Sequence, residues 1–114
     1  MTDCIFCKII AGDIPADIVY KGDRVIAFRD INPQAPTHVQ IIPREHIARI
    51  QDFDAERDTP WLVELFEVAR HIAEEEGLEK GYRIVFNNGA LAGQSVLHVH
   101  MHILGGRGLG WPPG

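Results

Sequence analysis

Basic charge is scarce in this chain, cysteine is scarcer, and long apolar runs are missing. Its 114 residues carry 11 Lys and Arg against 16 Asp and Glu, a formal net charge of −5. That balance argues against broad contact with DNA, RNA or an anionic membrane surface, since those partners want a basic footprint. A small anion held at a local site stays open. No stretch approaches the roughly 20 apolar residues that span a bilayer, and Met1-Thr2-Asp3-Cys4 lacks the basic and apolar segments of a secretory leader. A cytoplasmic protein with no membrane or direct nucleic-acid partner is expected. Low-complexity tracts and internal repeats are absent too, and 46% hydrophobic with 24% charged residues suits a folded chain. One domain spanning residues 1–114 fits this length.

The only two cysteines are Cys4 and Cys7. In a reducing compartment Cys-x-x-Cys reads as half a metal site or a redox pair before it reads as a structural disulfide. A pair of buried free cysteines is the plain alternative.

What is present alternates. Ile18–Tyr20 and Arg24–Arg29, split by Lys21-Gly22-Asp23, predict a hairpin. Pro33 and Pro36 make 30–36 a loop, and Thr37–Ile42 predicts a strand that Pro43 ends. A short helical turn is expected around His46–Ile50. From Pro60 the apolar spacing turns helical, through Trp61, Leu62, Leu65, Phe66, Ala69, Ile72 and Ala73, with Thr59 as N-cap and Gly77 as the stop. Glu74, Glu75 and Glu76 in its last turn oppose the helix dipole. Tyr82–Asn87 predicts a strand, and 88–94 a loop. Hairpin, strand, helix and two more strands make an α+β protein with a mainly antiparallel sheet, the long helix covering one face.

His98-Val99-His100-Met101-His102 then places three of the six histidines on one face of a strand, with Val99, Met101 and Ile103 on the other. Same-face neighbours lie about 6.6 Å apart and the outer pair about 13 Å, so His98 and His102 do not share one ion at ligand bonds near 2.1 Å. A zinc hydrolase would want a nearby carboxylate, and none lies between Asn87 and Trp111. That favours the imidazole as nucleophile. Gly93-Gln94-Ser95-Val96, just before, offers a flexible glycine, an amide, a hydroxyl and backbone N–H groups that suit phosphate, although an ordinary loop uses the same residues. His71, inside the helix, reads as structural.

These residues resemble the histidine triad superfamily. The resemblance rests on Gly93–Val96 with His98–His102, on Cys4–Ile10, on Phe28–His38, on Ile42–Ile47, and on the ending Gly105-Gly106-Arg107 with Trp111-Pro112-Pro113-Gly114. The ending is similar to the nucleotide-binding branch rather than the dinucleoside polyphosphate hydrolases. The resemblance implies a five-stranded sheet with one long and one short helix, dimerising into a continuous sheet. It implies a purine nucleoside phosphoramidase in which His100 attacks the α-phosphorus and expels an amine, before water releases AMP or GMP. Ser95 and His102 would contact phosphate or leaving group, and His38 would complete the histidine cluster. Asp30 would bind the ribose, Phe28 and Ile31 would line the base pocket, and Asn87 would lie near sugar and phosphate. Gly93, Gln94 and Val96 would complete the phosphate loop. In a homodimer the Trp111 tail would approach the partner's site.

The resemblance also suggests that His46 and His98 complete a structural zinc site with Cys4 and Cys7, while catalysis itself needs no cofactor. Three other readings remain: a nucleotide-binding or interaction protein with incidental hydrolysis, a dinucleoside polyphosphate hydrolase, and a zinc hydrolase.

Overall fold

The computed structural model describes residues 3–114; Met1 and Thr2, read above for a leader, lie outside the described residues. Its strands are β1 (Ile18–Lys21), β2 (Val25–Arg29), β3 (Thr37–Pro43), β4 (Tyr82–Val85) and β5 (Met101–Gly105). They form one antiparallel sheet in the order β1-β2-β3-β5-β4. Two α-helices, α1 (Ile5–Ala11) and α2 (Ala55–Glu75), cover its two faces. This is the α+β architecture expected. Among the described residues no helix is long and apolar enough to cross a membrane.

Register explains the layering. Val39 pairs with Ile103 and Ile41 with Met101, which sends all four side chains into one core with Trp61, Leu65, Ala69 and Ile72 of α2. The alternate residues face the other way. Gln40 pairs with His102, so His38, Gln40 and His102 share the second face. Phe6 of α1 there packs with Ile26, Phe28 and Ile42 in a smaller core.

The short helix that the resemblance implies lies at Ile5–Ala11: the Cys4 thiol caps it by accepting from the Cys7 N–H at 3.3 Å, and Gly12 ends it at φ 82°. Three local expectations need correction. The long helix starts at Ala55 rather than Pro60, because Asp54 caps it through the Arg57 N–H at 2.8 Å. Thr59 is not its cap; its hydroxyl donates back to the Ala55 carbonyl, and Pro60 sits inside the second turn. No helical turn spans His46–Ile50; a 3₁₀ turn follows at Ile50–Asp52. The histidine strand is shorter than its pattern, since β5 begins at Met101. Pro43 ends β3 without an N–H to donate, and the Val99 N–H bonds the Ile47 carbonyl instead, at 2.7 Å.

The acidic end of α2 is neutralised from the sheet. Arg29 donates to both Glu76 oxygens, at 2.9 and 3.4 Å, and the Thr37 hydroxyl adds a third bond at 3.1 Å, holding this carboxyl below its usual range.

Candidate active site

His100 is buried against Phe6 of α1, one residue before β5. Its Nδ1 lies 2.8 Å from the His98 carbonyl, which can only accept. Nδ1 therefore carries the hydrogen and Nε2 keeps its lone pair. Burial is the main cause that lowers its affinity for a proton, with the bond to His98 opposing. At neutral pH this imidazole is a free base lining a cleft.

On one side of it His38 and His102 form a hydrogen-bonded chain. The Gln34 N–H donates to His38 Nδ1 at 3.1 Å, so His38 Nε2 holds the hydrogen and donates it to His102 Nδ1 at 2.9 Å. His102 is left with Nε2–H as its free donor. Asp30 Oδ2 lies 3.4 Å from His38 Nε2 and accepts from Gln40 Nε2 at 3.0 Å. Burial, reinforced by the neighbouring His100 and His38, lowers His102 to about 4 while Asp30 opposes; burial likewise lowers His38 against Asp30. No carboxylate was expected near the triad from its own segment. The loop after β2 supplies this one.

On the other side Cys4, Cys7, His46 and His98 converge. His98 Nε2 donates to the Pro43 carbonyl at 2.8 Å, which turns its Nδ1 lone pair toward the cysteines. Sulfur–nitrogen separations are 3.4 Å for Cys4 to His98, 3.4 Å for Cys7 to His46 and 3.7 Å for Cys7 to His98, and the two Nδ1 atoms are 3.2 Å apart. A tetrahedral zinc with bonds of about 2.3 Å to sulfur and 2.05 Å to nitrogen would need about 3.5 and 3.3 Å. The four donors fit that ion. Burial depresses His98 to about 4, and burial with the neighbouring Cys4 raises Cys7. The outer histidines of the triad thus belong to different clusters, as the strand spacing required.

A cleft of about 450 Å³ opens over His100 and His102, between α1 and the loops after β2 and β4. Phe28, Asp30, Ile31, Asn87, Gly93, Ser95 and Val96 line it, and Ile31 is 98% exposed at its lip. His38 lies behind His102, alongside the histidine cluster as expected, and is not part of the cleft wall. One expected residue stands off the cleft. Gln94 is buried: it accepts from the Gly89 N–H at 2.7 Å and donates to the Ala48 and Val96 carbonyls at 2.8 and 3.1 Å. It shapes the loop that presents Ser95. Sequence reasoning missed Gln40 and Phe6; the pairing of Gln40 with His102 was the signal for the first. A second depression of about 550 Å³ beside Cys4, His46 and Leu97 is lined by none of the triad, whereas the smaller cleft is lined by His100 and His102.

Fold and site together define an α+β protein whose cleft is lined by a buried imidazole with a free Nε2, flanked by a hydrogen-bonded histidine pair and by a Cys2His2 group that could hold a metal ion. The HIT domain family model matches residues 11–109, and the chain belongs to that family. It is 50% identical over 112 residues to a 14 kDa zinc-binding protein of Zea mays, covering 96% of this chain and 87% of that one. The crystal structure of a HIT family hydrolase from Legionella pneumophila matches with a TM-score of 0.94 at 50% identity, over 98% of this chain and 100% of that chain. A histidine triad nucleotide-binding protein from Candida albicans matches with a TM-score of 0.82 at 34% identity, over 98% and 85%.

Proposed function

We propose that this protein is a nucleotide-binding hydrolase that cleaves the P–N bond of purine nucleoside phosphoramidates through a nucleotide carried on His100. The observation that carries the reading is the His98 carbonyl on His100 Nδ1, which leaves Nε2 as an unprotonated nucleophile at the cleft. Relatives named as a hydrolase and as a nucleotide-binding protein support its coarser part.

In the first step His100 Nε2 bonds to the α-phosphorus and the P–N bond breaks, the departing amine taking a proton from solvent at the open cleft that the water of the second step restores. The His102 Nε2–H and the Ser95 hydroxyl are the donors beside that centre. In the second step water displaces Nε2, releasing AMP or GMP. One water is consumed overall, its oxygen ending on phosphorus and its protons on the amine and the released phosphate. Asp30 uses two of its roughly four lone-pair sites on Asn32 N–H and Gln40, which leaves room for ribose hydroxyls. Phe28 and the exposed Ile31 offer apolar surface for a base. Gly93 and Asn87 flank the phosphate side.

Cys4, Cys7, His46 and His98 would hold zinc as a structural ion, supplying folding free energy when bound. Four protein donors leave no open position for substrate, which disfavours the zinc hydrolase. The unpaired edge of β4 and Trp111, 84% exposed, are the surfaces we assign to a homodimer.

Mass spectrometry of protein quenched during turnover of an adenosine phosphoramidate tests the mechanism. A nucleotidyl adduct on His100 is expected. Steady turnover with no adduct, or with the adduct elsewhere, refutes it.

A further inference from the structure

Phe6 stands between the two cysteines in the chain and is buried against the nucleophile. Its ring meets His100 at 5.1 Å between centroids and 88° between planes, His98 at 5.8 Å and 73°, and Phe28 at 5.5 Å and 68°. Edge-to-face packing of this kind fixes ring orientation as well as position. The turn that delivers Phe6 is the one whose two ends are Cys4 and Cys7.

A second route runs from the same cluster to the same ring. His98 is held by Nδ1 among the cluster donors, by Nε2 on the Pro43 carbonyl, and through the next residue by the Val99 N–H on the Ile47 carbonyl. Its own carbonyl is therefore fixed in space, and that carbonyl orients His100 Nδ1–H at 2.8 Å. One contact sets the imidazole from its nitrogen, the other from its side.

We propose that the Cys4-Cys7-His46-His98 cluster positions the nucleophile, with Phe6 as the positioning residue that carries the cluster's geometry to the His100 ring alongside the His98 carbonyl. This rests on the reading of His100 as nucleophile. The cluster then governs turnover without taking part in bond-making. A leucine or methionine at position 6 fills much of the same volume but lacks the aromatic edge, so it separates orientation from packing.

The test compares zinc-loaded wild type, Phe6→Leu and Phe6→Met, labelled with ¹⁵N in histidine. Both variants are expected to bind one zinc and to melt as folded proteins, while the His100 Nδ1 and Nε2 resonances shift and broaden with no substrate present. The kcat for an adenosine phosphoramidate should fall about tenfold or more with KM within about twofold, as misorientation of a reacting group predicts. Chelating zinc from wild type should move the His100 resonances in the same direction, and this series needs no substitution to be read. Zinc-bound variants with unchanged His100 resonances overturn the proposal, and so does a change in KM alone, which would make Phe6 a substrate contact. An absent His100 adduct would instead sink the reaction mechanism and leave the resonance result standing, so the two failures are distinct.

Discussion

Two groups of side chains flank His100, and they differ in where their hydrogens sit. In the His38–His102–Asp30 group donors and acceptors alternate: Gln34 N–H to His38, His38 to His102, and a remaining N–H on His102. In the Cys4-Cys7-His46-His98 group the lone pairs point at one another, with His46 and His98 Nδ1 only 3.2 Å apart. The first group is complete with protons. The second is complete only with a cation, or with thiol hydrogens in its place. Two backbone groups, the Gln34 N–H and the Pro43 carbonyl, decide this by choosing which nitrogen of His38 and of His98 is protonated. Identical residue types thereby receive different chemistry.

The sharpest way to test the division is to remove the residue between the groups. His100→Ala should lower kcat by about 10⁴-fold, roughly 5 kcal/mol of transition-state stabilisation. Zinc content should stay at wild-type level, since His100 donates nothing to the four-donor group. Retained turnover, measured with the fluorescence of a released aryl amine, would end the nucleophile assignment.

Next in size is the loss of one thiolate. Cys4→Ser takes a metal donor while leaving a hydroxyl that can still cap α1, so the zinc-dependent part of stability should fall by at least about 3 kcal/mol, more than outer-shell changes cost. Melting with and without a chelator checks it. Equal chelator sensitivity in the two proteins would mean that the cation group is not one.

The proton-filled group predicts a pH signature. Burial lowers His102 from 6.5 to about 4 in the folded protein, so between those values the unfolded chain binds more protons. Its contribution is therefore full above pH 6.5 and is lost as pH falls toward 4. Allowing for solvent screening at this half-open site, the loss is about 1 to 2 kcal/mol. His102→Asn should remove that part of the acid sensitivity, and matching pH slopes for variant and wild type in denaturant titrations would contradict it.

How much of this was legible beforehand follows from range. The spacing of His98, His100 and His102 separated the outer two into different sites, because the reach of extended backbone is local, although only His102 lies within β5 and shares a strand face. Asp30 was outside that reach: it meets His38 only because β2 and β3 pair across a proline-rich loop. Helix α1 spans seven residues, too short for an apolar stripe, and its cap is a thiol rather than the usual hydroxyl or carboxylate. At α2, Thr59-Pro60 imitates a start. The true one, Asp54, is backed by Asp58, a carboxylate 1% exposed that accepts from Asp54 N–H, Arg57 and Trp61 Nε1. An aspartate buried by its partners cannot be told in sequence from one exposed to water.

The finest division lies within Asp30 itself. Its Oδ2 is shared between Gln40 Nε2 at 3.0 Å and His38 Nε2 at 3.4 Å, and it is the influence that raises His38 against burial. Gln40→Met removes the competing donor while keeping similar volume. At pH 8 this should cost about 1 kcal/mol, the usual value of one hydrogen bond. Below pH 6.5 the sign of a second effect is opposite: an Asp30 oxygen freed from Gln40 favours a charged His38, moving its folded-state proton affinity back toward the unfolded one. The window in which the unfolded chain binds more protons then narrows, and acid destabilisation shrinks. The deficit of Gln40→Met relative to wild type should therefore be larger at pH 8 than at pH 5 in denaturant titrations. A deficit that grows toward acid would mean that Gln40, rather than His38, is what keeps Asp30 in place.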